Sequence, residues 1–220
     1  LCAVRLDGRV LAACDYDVDA ESLTIADAPS PCTLETEACI RPQKNTRLEG
    51  LYRSGDFLTT QCEAEGFRRI TWFIDRPDVM ATYRVRLEAD REHFPVLLAN
   101  GNPGQHGRLP DGRHFAEWID PWPKPSYLFA LVAGRLESIE DAFTTSEGRR
   151  VRLCIHAEAD AIGRCGWAMQ CLKMAMRWDE QVFGREYDLD VFNIVAVSHF
   201  NMGAMENKGL NIFNDKYILA

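Results

Sequence analysis

The sequence predicts a mainly β protein with some α structure, in which an antiparallel β sandwich or saddle is followed by a mixed region. Three observations predict this fold class. Short runs of alternating polar and apolar residues, separated by turn residues, fill roughly the first 135 positions. Only the segment 161–183 has a long helical periodicity. The run 191–197 is apolar on both faces except at Asn193, as is typical of a strand buried on both sides.

The first region begins with a predicted hairpin. Residues 4–6 and 10–12 flank Asp7-Gly8, a dipeptide that favours a two-residue turn between antiparallel strands. In the predicted strand 81–87, Tyr83, Val85 and Leu87 alternate with polar residues, so one face is expected to be buried. Further strands are predicted at 22–25, 33–36, 70–74 and 95–99, a glycine-rich loop at 101–107, and turns at 100–104, 110–112 and 120–125.

The pattern changes after Gly134, which predicts an N-terminal β domain at 1–135 and a second domain at 136–220. Strands are predicted in the second domain at 143–145, 151–155, 191–197 and 209–214. The helix 161–183 is expected to follow Asp160 as its N-cap and to stop at Gly184. Its predicted buried stripe consists of Ile162, Cys165, Met169, Leu172, Met176 and Phe183.

Composition and charge exclude several classes of protein. The 220 residues include 25 Lys and Arg against 33 Asp and Glu, which gives a net charge of −8 and argues against a nucleic-acid partner. No apolar run approaches the roughly 20 residues of a membrane-spanning helix, so no membrane partner is expected. The eight cysteines contain no C-x-x-C pair, which favours reduced, buried thiols in the cytoplasm over a disulfide framework.

The sequence contains no complete catalytic constellation of its own. None of the five histidines lie four residues apart, so no helix presents two imidazoles to one metal ion. The serine-hydrolase motif G-x-S-x-G, the P-loop and the dinucleotide fingerprint are all absent from the sequence. We therefore expect no catalytic residues and no metal ligands within these 220 positions.

Two segments nevertheless combine residues that could form a binding site. Residues 60–68, with Arg69 directly after them, bring two acids, a glutamine and two arginines together, although a solvated loop with surface ion pairs would have the same composition. Residues 201–209 follow the most buried predicted strand, and small residues at 203 and 204 allow close approach of another backbone. Glu206 then places a carboxylate at the exit of that strand, although a simple turn between two strands remains an alternative.

The second segment resembles a known family motif. Residues 203–207 read G-A-M-E-N, the exopeptidase motif of the zinc aminopeptidases of the aminopeptidase N family, and 207–211 resemble its bacterial members. Other stretches resemble the same family in the same order, at 49–55, 61–68, 75–78 and 120–134. The resemblance thus covers nearly the whole chain, more loosely over 1–48.

The resemblance implies removal of single residues from the amino terminus of peptides. Glu63 and Glu206 would bind the α-ammonium group, while Gln61 and Met202 would shape the pocket for the first side chain. The backbone at Gly203 and Ala204 would pair with the substrate as an added strand. Met205 also fits core packing, and Glu65 also fits a structural ion pair. The implied substrate-binding residues are Gln61, Glu63, Met202, Gly203, Ala204, Met205, Glu206, Asn207 and Tyr217.

The resemblance also implies that residues 136–220 form the β-rich first part of a thermolysin-like metallopeptidase domain. In the family, zinc is bound by H-E-x-x-H and a further glutamate downstream of G-A-M-E-N, and the sequence stops at Ala220 before them. We therefore expect a piece cut at both ends, inactive and without zinc alone, whose partners are peptides with a free N-terminus and the rest of its own catalytic domain. A non-catalytic β-sandwich binding module and a relative that also opens epoxides remain alternatives.

Overall fold

The computed structural model describes residues 1–219 and confirms a mainly β fold. Short 3-10 helices occur at Pro42–Lys44, Phe67–Arg69, Ser126–Leu128 and Ile162–Arg164. The first region contains β1 (Ala3–Leu6), β2 (Arg9–Val10), β3 (Asp17–Val18), β4 (Leu23–Thr24), β5 (Leu34–Glu37), β6 (Gly50–Ser54), β7 (Phe57–Gln61), β8 (Ala81–Asp90), β9 (Val96–Ala99), β10 (Asn102–Arg108), β11 (Arg113–Lys124) and β12 (Leu131–Gly134). The second region contains β13 (Glu137–Thr144), β14 (Arg150–Ala157), α1 (Gly166–Phe183), β15 (Val191–Val197), β16 (Ala204–Met205), β17 (Leu210–Asn214) and α2 (Asp215–Ile218).

The strands of the first region pair only with one another, and all of these pairs are antiparallel within the described residues. They form sheets of order β2-β1-β5, β3-β4, β10-β11-β8 and β6-β7-β12-β9. The second region forms a five-stranded mixed sheet of order β13-β14-β15-β17-β16, in which β15 is parallel to both of its neighbours. Sheet membership changes between Gly134 and Glu137, although the domain boundary at 135 stays a prediction.

Several predicted elements are confirmed. Asp7 and Gly8 have φ of 49° and 79° in the turn between β1 and β2, as a two-residue turn of an antiparallel hairpin requires. The side chains of β8 alternate between half-buried and exposed along the whole strand. The helix α1 ends at Gly184, whose φ of 60° places it in the left-handed conformation expected of the C-terminal stop.

The predicted strand at 70–74 is wrong. The chain there leaves the 3-10 helix Phe67–Arg69 and continues without a ladder partner among the described residues. Its apolar residues serve an aromatic cluster instead, because the Phe73 ring packs edge-on against Phe67 with centroids 5.1 Å apart. Phe73 is 38% exposed and Ile74 is 65% exposed, so the apolar run borders an aromatic cluster and does not form a buried strand.

Two predicted loops also form strand. Residues 101–107, predicted as a glycine-rich loop, lie mostly in β10, where Gly107 faces Phe115 so closely that a Cβ would lie 3.0 Å from the ring. The predicted turn at 120–125 is largely the end of β11, with an irregular register between Asp120 and Lys124. These two side chains are almost fully buried and form an ion pair at 3.0 Å, with Lys124 Nζ 3.7 Å from the centre of the Tyr83 ring.

The start of the predicted helix is wrong by five residues. The α-helix begins at Gly166, after the 3-10 helix Ile162–Arg164, and Cys165 rather than Asp160 occupies the N-cap position without a side-chain cap. Cys165, Met169, Leu172 and Met176 of the predicted stripe are buried. Ile162 is only half-buried and Phe183 is 63% exposed, so the stripe is shorter than predicted.

The prediction of β15 as a strand buried on both faces is confirmed. One face packs with Val195 and Val197 into a core shared with β7, β9, β11 and β12 of the first region. Ile194 and Ala196 on the opposite face pack against α1. The one polar residue, Asn193, is 1% exposed and faces His156 on β14, with Asn193 Oδ1 3.2 Å from His156 Nε2.

The cysteines only partly follow the prediction of buried thiols. All eight are free, but only Cys62, Cys154 and Cys165 are buried, whereas Cys171 is half-buried. The remaining thiols are exposed and belong to Cys2, Cys14, Cys32 and Cys39. Neither of the two α-helices described within residues 1–219 is both long and apolar enough to cross a membrane.

Burial lowers the pKa of His156 below its ordinary value of 6.5, since the imidazolium would lose its hydration. The unfolded chain therefore binds more protons below pH 6.5, and folding stability should fall as the pH falls from that value through the lower folded pKa. We expect this contribution to reach about 1.4 kcal/mol per pH unit, with full stability retained above about pH 6.5. Urea unfolding of the purified protein across this range, compared with His156→Gln, measures the effect. The exposed His93→Gln substitution is the control, and equal slopes for the wild type and His156→Gln would contradict the prediction.

Candidate functional site

The G-A-M-E-N segment lies at the edge of the five-stranded sheet. Ala204 and Met205 form β16, which pairs antiparallel with β17 through Phe213 and Ile212. Met205 is fully buried in the core shared by the two regions, as its core-packing interpretation predicts, whereas Ala204 is half-buried. Because β16 has β17 as its only ladder partner among residues 1–219, its outer edge leaves backbone groups that could pair with an extended peptide.

Asn214, at the end of β17, holds the loop that precedes β16. Its backbone N–H donates to Gly203 O at 2.9 Å. Its side-chain Nδ2 donates to Phe200 O at 3.3 Å and to Met202 O at 3.4 Å, while Oδ1 accepts from Lys216 N at 3.1 Å and caps α2. One asparagine thus fixes both the loop and the start of the following helix.

The other end of the motif is fixed from the first region. The buried Asn100 donates from Nδ2 to Lys208 O at 2.9 Å and to Leu128 O at 3.0 Å, and it accepts from Ala130 N at 2.7 Å. The side chain of Lys208 forms an ion pair with Asp188, with Lys208 Nζ 2.6 Å from Asp188 Oδ1. Asn207 is 1% exposed, and its carbonyl oxygen accepts from Leu210 N at 3.0 Å, which turns the chain into β17.

Gln61 connects residues 60–68 with residues 201–209. It ends β7 at 1% exposure, and its Nε2 donates to Met202 Sδ at 3.0 Å and to Glu63 O at 3.3 Å. The Glu63 side chain is exposed, in a turn closed by a hydrogen bond from Gly66 N to Cys62 O at 2.8 Å. The Glu63–Ala64 peptide in this turn is cis. Gln61 and Met202 are therefore in contact. Glu63 follows Gln61 by two positions and is linked to it through its carbonyl oxygen.

A second set of contacts fixes the start of the motif loop. Tyr52 on β6 is fully buried and donates from its hydroxyl to His199 O at 3.0 Å. Burial raises the pKa of Tyr52, so the hydroxyl remains a donor at neutral pH. Ser54 Oγ accepts from His199 N at 3.1 Å. Sequence analysis missed Tyr52, Ser54, Asn100 and Asn214, because each acts on residues distant in sequence or through backbone atoms that no motif reveals.

Tyr217 and Glu206 lie on the side of the motif that faces α1. Both line a groove of about 600 Å³ between α1 and β17. Tyr217 is 75% exposed, and its ring lies 3.9 Å from the position that a Cβ of Gly203 would take. Among the described residues, this groove is lined by Glu206 and Tyr217 but not by Gln61, Glu63 or Met202.

The two acids predicted to bind the substrate differ electrostatically from their neighbours. Within residues 1–219, neither Glu63 nor Glu206 has a cationic side chain within 4.0 Å. Glu65, in contrast, forms an ion pair with Arg68 at 3.4 Å, in agreement with its alternative interpretation as a structural partner. Two exposed carboxylates therefore remain available to a cation that is not part of the described chain.

Both regions of the chain match known family models. The first region of antiparallel sheets is followed by an open mixed sheet whose edge carries G-A-M-E-N. Residues 11–128 match the family model of the Peptidase M1 N-terminal domain, and residues 167–220 match that of the Peptidase family M1 domain. The chain therefore belongs to the M1 peptidase family.

Individual relatives agree with this assignment. The chain is 59% identical over 220 residues to Aminopeptidase N of Caulobacter vibrioides, covering 100% of this chain and 25% of the relative. It is 55% identical over 199 residues to Aminopeptidase N of Escherichia coli, covering 90% and 23%. A crystal structure of Legionella pneumophila aminopeptidase A in complex with aspartic acid superposes with a TM-score of 0.94 at 36% identity, covering 99% of this chain and 26% of that one. The chain thus spans about a quarter of the length of these proteins.

The turn that carries Glu63 leaves no room for a side chain at Gly66. A Cβ there would lie 2.3 Å from Gln61 O, a backbone atom that cannot move alone. We expect Gly66→Ala to lower the free energy of unfolding by about 1–3 kcal/mol, because the turn must shift. Denaturant unfolding of the purified protein measures the change. Gly163→Ala, where no atom lies within 4 Å of the new Cβ, is the control, and equal effects of the two substitutions would contradict the prediction.

Proposed function

We propose that the chain is part of a zinc-dependent aminopeptidase, in which it recognises the free amino terminus of peptides and shapes the pocket for the first residue. The observation that carries this proposal is the pair of exposed carboxylates, Glu63 and Glu206, on segments connected by the contact between Gln61 and Met202. Neither carboxylate is neutralised by a cation of the described residues. The relatives described above are all named as aminopeptidases, which supports the same function.

The chemistry of the substrate suits these acids. The α-amino group of a peptide has a pKa of about 7.7–8.0, so much of it is charged near neutrality. An ammonium group donates charge-assisted hydrogen bonds to carboxylates, which are strong and directional. Carboxylates that bind the chain end set a fixed distance to the first peptide bond, and this explains release of single residues. Pairing of the peptide backbone with the edge of β16, next to Glu206, would hold the substrate extended.

In this proposal the first side chain of the substrate lies against Gln61 and Met202. Tyr217 borders the same pocket from the groove between α1 and β17. Met202 is 37% exposed, and a flexible thioether side chain adapts to different apolar shapes. The buried Gln61 fixes its position through the hydrogen bond to sulfur. Met205 and Asn207, on either side of Glu206, are both buried. Their role in this proposal is to fix the backbone conformation that positions Glu206.

The zinc ion belongs to another part of the proposed enzyme. No three His, Cys, Asp or Glu side chains cluster as metal ligands among residues 1–219, so the described residues do not fit a zinc site. Zinc would be bound by the H-E-x-x-H motif and the further glutamate of the family, outside this sequence. The residues of this chain bind and orient the substrate, and the chain alone is expected to be inactive. The eight free thiols support a location in the reducing cytoplasm.

We expect Glu206→Gln in the full-length enzyme to lower kcat/KM by about 10²-fold, because the amide cannot provide the charge that positions the ammonium group. Hydrolysis of an aminoacyl anilide measures the effect. Glu92→Gln is the matched control, because Glu92 is also exposed and lies outside the motif. Unchanged efficiency in Glu206→Gln, with the control also unchanged, would remove Glu206 from the site.

The rest of the catalytic domain is proposed to cover the outer face of α1. This face exposes Trp167 (61%), Met174 (54%) and Trp178 (53%), three large apolar side chains spaced seven and four residues apart along one side of the helix. It borders the groove that contains Glu206 and Tyr217. Relatives about four times as long as this chain contain ample further polypeptide to bury such a face.

We therefore expect the chain of 220 residues, expressed alone, to self-associate through the outer face of α1. Trp178→Glu should reduce the association, because a charge opposes burial of this face. Sedimentation velocity over a concentration series measures it. Ile74→Glu, at a position that is 65% exposed outside this face, is the control. A monodisperse wild-type chain with a sharp cooperative melt would contradict the expectation.

A further inference from the structure

Asp75 is a buried carboxylate next to the turn that carries Glu63. Its side chain is 4% exposed. The carboxylate accepts from Arg68 N at 3.0 Å, from Arg68 Nε at 3.1 Å and from Ser126 Oγ. Its own carbonyl oxygen accepts from Arg68 Nη2 at 2.9 Å. Asp75 thus binds both the backbone and the guanidinium group of Arg68.

The cations of the Glu63 segment are all engaged by other acids. Arg68 is held by Asp75 and, on its exposed side, by Glu65 at 3.4 Å. The neighbouring Arg69 is held by Glu49 at 2.6 Å. Glu63 remains without a cationic partner among the described residues, although Arg68 lies only five positions further along the same compact segment.

This distribution of charge matters for a site that binds an ammonium group. An arginine side chain is long and flexible, and its guanidinium group forms strong hydrogen bonds with any carboxylate that it reaches. An ion pair between Arg68 and Glu63 would have to be broken before a substrate ammonium could bind to Glu63. Arg68 would then act as an internal competitor of the substrate.

We infer that Asp75 is a positioning residue, whose buried carboxylate holds Arg68 away from Glu63 and so keeps the Glu63 carboxylate free for the amino terminus of the substrate. This inference rests on the proposed function. It differs from a purely structural role of Asp75, in which the contacts to Arg68 and Ser126 only stabilise the fold. In a purely structural role, removal of the Arg68 charge would add to the damage caused by loss of Asp75; in the inferred role it repairs substrate binding.

The test compares steady-state kinetics of full-length enzyme variants on an aminoacyl anilide. Asp75→Asn keeps the shape of the side chain but releases the charge of Arg68. We expect KM to rise about three- to tenfold, the scale of one ion pair, with a smaller change in kcat. The double variant Asp75→Asn/Arg68→Gln should return KM to within about twofold of the wild type. A raised KM that Arg68→Gln does not repair, or an unchanged KM in Asp75→Asn, would overturn the inference.

A surface variant keeps the inference falsifiable if Asp75→Asn fails to fold. Glu65 is 67% exposed, and Glu65→Gln leaves the contacts between Asp75 and Arg68 in place. KM should therefore stay within about twofold of the wild type, because Asp75 still holds the guanidinium group. A larger rise in KM that Arg68→Gln reverses would assign this role to Glu65 and overturn the inference.

Glu63→Gln distinguishes failure of the inference from failure of the proposed function. If Glu63→Gln leaves KM and kcat unchanged, Glu63 does not bind the substrate and the proposed role of this acid fails, together with the inference. If Glu63→Gln raises KM but Asp75→Asn does not, the amine-binding role stands and only the inference is overturned. In the Glu63→Gln background, Asp75→Asn should raise KM no further, because Arg68 no longer has a carboxylate to occupy.

Discussion

The apolar core between the four-stranded and five-stranded sheets is the constraint on which the candidate site depends. Phe57 and Val132 from the first region pack in one cluster with Val195 and Ile212 from the second. Because interiors are close-packed, this contact fixes the two sheets relative to each other. The end of β7 therefore lies beside the loop that follows β15, so that Gln61 contacts Met202 across 141 residues of sequence. A pocket divided between two regions of the chain requires such a rigid junction.

Within the second region, β15 decides where the motif emerges. It is parallel to β14 on one side and to β17 on the other, so the chain must leave its carboxyl end and return by a loop to start β17. That return contains the G-A-M-E-N segment, which adds β16 at the margin of the sheet. Asn193, the one polar residue of β15, is accommodated by His156 rather than by solvent.

The sequence predicted those features that depend on local pattern. Alternation in β8, the Asp7-Gly8 turn and the two buried faces of β15 all follow from periods of two residues and from turn chemistry. It could not predict where an apolar run would pack, so residues 70–74 joined an aromatic cluster instead of a sheet. The hydrogen bonds of Tyr52 and Asn100 were also invisible, because their partners are backbone atoms far along the chain.

The placement of Asn214 makes the site sensitive to how accurately β17 pairs with β15. Successive side chains of a strand point to opposite faces, so a slip of one residue would turn the Asn214 amide through the sheet. Its hydrogen bonds to the loop at Phe200 and Met202, and its cap on α2, would be lost in the same step. A sheet with the wrong register would therefore lack the ordered loop before β16. The binding surface can form only when β17 pairs with β15 in the correct register.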